Sequence, residues 1–227
     1  LSPNFPIATR KFEDTAVAKP VEWFFENLLP EGRLRDLIAF RDRIDPRDTW
    51  ALLIRHGQDT AGALSLIPEG FDMATEEILV PLARESLQEK SEASRARNLP
   101  LMASWEEIRM SLAGAQEKLG LRIDAHGAMF LPEGSAPSTH IVKPENASAD
   151  FPHCPANEFF CMRLAHELKV PVPAVGLLHL PEPLYVIERF DRVPLEQSAE
   201  KVAGTTFGRI HQIDLCQALG VAPSKKY

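Results

Sequence analysis

Cysteine is scarce in this chain. There are three residues in 227, Cys154, Cys161 and Cys216, an odd number with no C-x-x-C pair. That argues against a disulfide framework and fits a reduced, cytosolic compartment. The histidines, His140, His153, His179 and His211 among them, are scattered without ligand spacing, so no metal site is expected from them. No apolar run approaches the ~18 residues that span a bilayer, and the opening Leu1-Ser-Pro-Asn-Phe-Pro6 does not read as a signal peptide, so no membrane partner is expected. An excess of positive charge is also missing. The net charge of −7 removes bulk attraction for nucleic acid and leaves only a local basic patch open. The pattern G-x-x-x-x-G-K-S/T occurs nowhere, which excludes a P-loop ATPase. No internal repeat is visible. An initiator methionine is absent, so the sequence is expected to begin inside a longer protein.

What is present suits a folded α+β protein: 44% hydrophobic residues and 25% charged ones. Val21 to Leu29 reads as a short amphipathic helix stopped by Pro30-Glu-Gly32, and Leu34 to Asp45 as a second with a solvated charged face. Asp48 to Ile54 reads as a helix or a buried strand, and Gly62 to Pro68 alternates like a strand closed by proline. Residues 1–70 are thus expected to form a small unit. Residues 71–105 read as a connector: Thr75 to Arg84 as a helical stretch broken by Pro81, then Glu85 to Arg97 as an exposed polar helix or linker.

From Ile108 the pattern turns β-rich. Leu119, Leu121 and Ile123 alternate with polar or small residues, Asp124-Ala-His-Gly127 is a hairpin turn signal, and Ala128 to Leu131 returns. Thr139 to Lys143 is a further strand stopped by Pro144. Pro155 to Leu168 is the clearest helix, with Phe160, Cys161, Leu164, Ala165 and Leu168 as its apolar stripe. Ala174 to Leu180 and Leu184 to Phe190 are two more strands, and Gly208 to Leu219 a last helix.

Three features carry chemistry. Ser111-Leu-Ala-Gly-Ala-Gln-Glu-Lys118 is a small-residue loop feeding a strand, where backbone N–H groups can converge on an anion; Ser111 could equally cap a turn. Lys143 shares the inward face of its strand with Ile141 and needs a partner or a ligand there. Glu158 lies at the edge of the helix stripe, as a partner for that lysine or as a first-turn carboxylate serving the helix dipole. The order of loop, hairpin, strand lysine, helix glutamate and two strands resembles the small lobe of a protein kinase.

More narrowly, five segments stand in the order and spacing of the HipA family, the serine/threonine kinase toxins of bacterial type II toxin–antitoxin pairs. They are the Ser111–Lys118 loop, Thr139-His-Ile-Val-Lys143, Asn157-Glu158-Phe-Phe-Cys161, Val186-Ile-Glu-Arg-Phe-Asp-Arg192 and His211-Gln-Ile-Asp-Leu-Cys-Gln217. The Phe24–Glu31 and Gly62–Pro68 stretches are similar to the small N-terminal subdomain of that family. The resemblance implies an α+β fold: the N-terminal subdomain over 1–70, a helical connector over 71–105, and over 106–227 a kinase-like small lobe, its hinge and the start of the large lobe. It implies ATP and Mg2+ as cofactors. It makes Ser111 an autophosphorylated switch, and Ala113, Gly114, Ala115, Gln116, Glu117 and Lys118 the loop over the phosphates. Lys143 becomes the ATP-contacting lysine, and Glu188, Arg189 and Phe190 the adenine-holding hinge. Glu158 follows as the lysine's ion-pair partner from the general kinase pattern. Implied partners are a helix-turn-helix antitoxin, DNA mainly through it, and a protein substrate such as an aminoacyl-tRNA synthetase.

One departure limits this. The D-G-H-x-x-N segment that holds the family's catalytic base, and the magnesium-binding aspartate after it, do not occur, so no catalytic residue is expected within these 227 residues. The resemblance therefore implies an internal portion that would not transfer phosphate alone. A non-catalytic partner-binding module is the other reading. The codons after Tyr227 separate the two: a D-G-H-x-x-N segment supports the enzyme and a stop supports the module.

Overall fold

The computed structural model describes residues 2–6, 11–70, 77–97, 101, 114, 116–146, 150–195 and 207–226. Contacts divide the chain into two compact units. One comprises residues 1–71, 109–115 and 209–227, the other 72–108 and 116–208.

The first unit is built on three helices, α1 (Pro20–Glu26), α2 (Gly32–Asp42) and α3 (Thr49–His56). Pro20 opens α1 where no intrahelical N–H is needed, and Asp48 caps α3 by accepting from the Ala51 N–H. This settles Asp48–Ile54 as helix. Leu28, Leu29, Ala39, Leu52 and Leu53 form the core, with Leu64 and Leu66 packed against it. The expected strand over Gly62–Pro68 does not form. Its polar groups bond locally instead: the Leu66 N–H donates to the Gly57 carbonyl and the Thr60 hydroxyl to the Leu64 carbonyl, so alternation here reports two leucines dipping into a core.

The end of the chain completes this unit. The expected long helix over 208–219 is shorter, α6 (Leu215–Leu219), started by a capping box in which Asp214 and Gln217 bond each other's backbone N–H. Asn4 donates to the Gln217 and Ala218 carbonyls at 2.9 and 2.8 Å, satisfying acceptors that a helix end leaves open. Gln217 donates to the Phe24 carbonyl at 2.9 Å, and Lys226 bridges Glu31 and Asp214.

The second unit is a six-stranded sheet. Its strands are β1 (Glu77–Leu82), β2 (Leu119–Ile123), β3 (Met129–Gly134), β4 (His140–Lys143), β5 (Val175–Leu180) and β6 (Glu182–Glu188). Their spatial order is β1-β3-β2-β4-β6-β5, with every pairing antiparallel. The helical stretch expected over Thr75–Arg84 is corrected to β1 for its described part. Pro81, expected to break a helix, sits instead on an edge strand, where a missing N–H costs least. The polar stretch after it is a helix, α4 (Arg84–Ala96). A two-stranded ribbon, β7 (Arg192–Pro194) and β8 (Phe207–Arg209), follows the sheet.

Helix α5 (Cys154–Glu167) packs on β5 and β6 with a face other than the expected one. Phe160, Leu164 and Leu168 are 64%, 47% and 69% exposed, while Pro155 is buried and Glu158, Phe159 and Met162 are half-buried, with Ala165 the one residue of the expected stripe that is half-buried beside them. A helix carrying apolar residues on more than one side offers the sheet several seats, and periodicity alone does not choose between them.

In the first unit Gly62 has φ +79°, and a Cβ there would stand 2.9 Å from the Gln212 backbone nitrogen. Gly62→Ala is expected to lower stability by about 1–3 kcal/mol through positive-φ strain and this clash. Urea denaturation would show it; an unchanged midpoint would contradict the close approach.

Candidate functional site

Strand β4 is short and central, flanked by β2 and β6. Alternation puts His140 and Val142 on one face and Ile141 and Lys143 on the other. The register Lys143↔Tyr185 sets the lysine opposite Tyr185 on the face that α5 covers. Across that face the Lys143 ammonium meets the Glu158 carboxylate, Nζ to Oε2 at 2.6 Å, with side chains 21% and 29% exposed. The two sequence-level expectations for these residues thus converge on one ion pair. Its partial exposure leaves the ammonium within reach of an anion.

Tyr185 was not visible as a site residue from its sequence position, since the pairing that brings it opposite Lys143 is long-range. Its ring lies under the ammonium, with Nζ 5.7 Å from the ring centroid. The side chain is 1% exposed, and its hydroxyl has no hydrogen-bond partner among the described residues. Burial, with the Glu158 charge adding to it, pushes the phenol up to about 12.

The remaining expected residues fall as follows. Ser111, Ala113 and Ala115 lie outside the described residues. Gly114 belongs to the first unit, where its carbonyl accepts from the Glu31 N–H at 3.4 Å. Gln116, Glu117 and Lys118 belong to the second unit and are half-buried. Lys118 leads directly into β2, and the pairing Leu119↔Val142 brings it to the level of Lys143.

At the exit of β6, Glu188 is exposed and its N–H donates to the Ala174 carbonyl at 2.9 Å. Phe190 is 64% exposed. Arg189 turns inward, and its guanidinium holds both Asp191 carboxylate oxygens at 2.9 and 2.8 Å and the Ser138 hydroxyl at 2.8 Å. Arg192 reaches the same Asp191 at 3.0 Å. The Arg189 side chain is therefore committed to this buried cluster. Its N–H is taken as well, donating to the Thr139 carbonyl at 2.8 Å. The outward-facing side chains at this exit are those of Glu188 and Phe190. No cluster of three or more His, Cys, Asp or Glu able to hold a metal occurs among the described residues. No helix among them is long and apolar enough to cross a membrane.

The HipA N-terminal domain model matches residues 1–67, and the HipA-like C-terminal domain model matches residues 110–227. A putative kinase of Sinorhizobium fredii, Y4mE, is 39% identical over 211 residues, 90% of this chain and 47% of the relative. The serine/threonine-protein kinase toxin HipA of Shewanella oneidensis is 35% identical over all of this chain and 48% of its own length. The structure of Shewanella oneidensis HipA with HipB and operator DNA superposes with a TM-score of 0.67 at 34% identity, over 92% of this chain and 46% of that one. The chain spans about half the length of the curated relatives it matches.

The raised phenol has a direct check. Between the ordinary 10.0 and about 12 the unfolded chain releases the Tyr185 proton and the folded chain keeps it, so stability falls across that window. In Tyr227→Phe, where Tyr185 is the remaining tyrosine, the tyrosinate absorbance should titrate near 12; a midpoint near 10 would place the ring in water.

Proposed function

The chain belongs to the HipA family, and on that premise we propose that it carries the nucleotide-holding part of an ATP-dependent serine/threonine protein kinase toxin. The observation that carries this reading is the Lys143–Glu158 pair, joining a central strand to the helix over it. Kinases of known mechanism require a strand lysine held by a helix glutamate in this way, and there the lysine contacts the nucleotide phosphates. A triphosphate is several negative charges placed in a cleft, and an ammonium already desolvated on one side lowers the cost of putting it there.

In this reading Lys143 would take a phosphate oxygen, the segment from Ala113 to Lys118 is the proposed phosphate loop, and Glu188 and Phe190 at the β6 exit are the proposed contacts to the base. Mg2+ would offset the phosphate charge, held by acidic side chains of the catalytic lobe together with the group that accepts the substrate hydroxyl's proton. Ser111 is the proposed self-phosphorylated serine. A phosphate added there brings close to two negative charges to the loop and favours its leaving the nucleotide cleft. The substrate class is a translation-related protein, such as an aminoacyl-tRNA synthetase. The partner is a helix-turn-helix antitoxin, with DNA reached through it in the bacterial cytoplasm. The HipA–HipB–operator complex of the solved relative supports that arrangement, and a chain of net charge −7 has little bulk attraction of its own for DNA.

Calorimetric titration of the 227-residue chain with ATP tests the site. Lys143→Met should weaken binding roughly ten- to a hundredfold, the loss of one charged hydrogen bond. Unchanged affinity would remove the lysine from the site. In the whole protein, radiolabel from ATP should vanish from the toxin in Ser111→Ala; undiminished labelling would sink that serine as the acceptor.

A further inference from the structure

Two hydrogen-bonding demands share the face of the sheet under α5, with Lys143 in contact with both residues. The Tyr185 hydroxyl is buried and has no partner among the described residues. A buried hydroxyl left in that state is costly, and native structures rarely keep one without use. The Glu158 carboxylate is balanced by Lys143 through one oxygen, Oε2. That balance holds while the ammonium stays. The Lys143 ammonium already lies over the Tyr185 ring, so the three groups share one face of the β4–β6 pair.

We propose that Tyr185 is a positioning residue for this pair: when an anionic ligand draws the Lys143 ammonium away from Glu158, the buried Tyr185 hydroxyl donates to the Glu158 carboxylate and keeps it seated under α5. One hydrogen bond then answers both demands. The carboxylate, losing its cation in a half-buried position, needs a donor, and the hydroxyl needs an acceptor. The ring serves the other state, backing the ammonium while the ion pair is closed. Tyrosine combines the two roles. Phenylalanine would supply the ring alone, and leucine neither. The idea rests on the nucleotide reading for the identity of the anion, but the hydrogen bond itself depends only on the lysine leaving.

That separation makes the test independent of nucleotide. Lys143→Met removes the cation without any ligand, and a four-member cycle adds Tyr185→Phe to each background. In the parent, Tyr185→Phe should leave the melting temperature unchanged or raise it, because it deletes an unpartnered hydroxyl. In Lys143→Met the same change should lower it, because the hydroxyl has become the carboxylate's donor. The carboxyl 13C resonance of Glu158 in NMR gives a readout that senses a donor to the carboxylate directly. Tyr185→Phe should move that resonance in the Lys143→Met background and leave it in place in the parent, since only in the Lys143→Met background does the phenol donate to the carboxylate. Equal melting shifts in both backgrounds, with no movement of the Glu158 resonance, would overturn the proposal and leave Tyr185 as volume. Lys143→Gln serves the same cycle where Lys143→Met fails to fold. Failure of ATP to bind the parent would count against the nucleotide reading, while the outcome of the cycle would still decide the role of Tyr185.

Discussion

In the second unit the contact between Lys143 and Glu158 ties a central strand of the sheet to the helix over it. A partly buried ion pair of this kind adds little net stability, because desolvation offsets most of the attraction. Its consequence is geometric. Helix α5 carries Phe160, Leu164 and Leu168 on one side and Phe159, Met162 and Ala165 on another, so apolar burial alone selects weakly between seats. Placing Glu158 over Lys143 turns Phe159, Met162 and Ala165 toward β5 and β6 and leaves the other stripe outside. The half-buried face of α5 is thus the one that also carries Glu158 over Lys143.

The same logic governs the exit of β6. Three consecutive side chains, Arg189, Phe190 and Asp191, alternate in, out and in. Arg189 and Asp191 meet in the interior with both guanidinium–carboxylate bonds made, and Ser138 and Arg192 take up further hydrogen-bonding capacity. Phe190 is presented outward because its two neighbours are anchored inward. The anchored part of this motif is therefore Arg189 and Asp191, and its outward-facing part is Phe190 between them and Glu188 before them.

Legibility followed the range of the interactions. The hairpin of β2 and β3 was readable because its signals are local: alternation on both sides of a turn in which Asp124 accepts from the His126 and Ala128 N–H groups. Lys143 and Glu158 were readable because each sits oddly on its own element, a lysine on an inward strand face and a glutamate beside an apolar stripe. Pro81 misled because proline marks a helix break and an edge strand equally well, and only the sheet order shows which applies. Tyr185 stayed hidden because its meaning comes from the register with β4, and a separation of 42 positions leaves no local trace of that pairing. The leucines of α5 misled because periodicity finds an apolar stripe without saying whether another residue outranks it in fixing the seat.

The first unit shows what such long-range ties imply for domain boundaries. The family models separate residues 1–67 from 110–227, whereas contacts group 209–227 with the beginning of the chain. The bonds responsible are specific. Asn4 closes the end of α6, Gln217 satisfies the Phe24 carbonyl beyond α1's own ladder, Asn27 donates to the Val221 carbonyl, and Arg209 pairs with Asp59. Each spans at least 150 positions, so each carries a loop-closure cost that local structure cannot offset until the intervening unit has been made. A piece ending at residue 67 would leave buried acceptors such as the Phe24 carbonyl without their donor. The second unit thus interrupts the first in sequence in two pieces, 72–108 and 116–208, and the smaller unit gains its last segment only once the chain has passed through the sheet that holds Lys143.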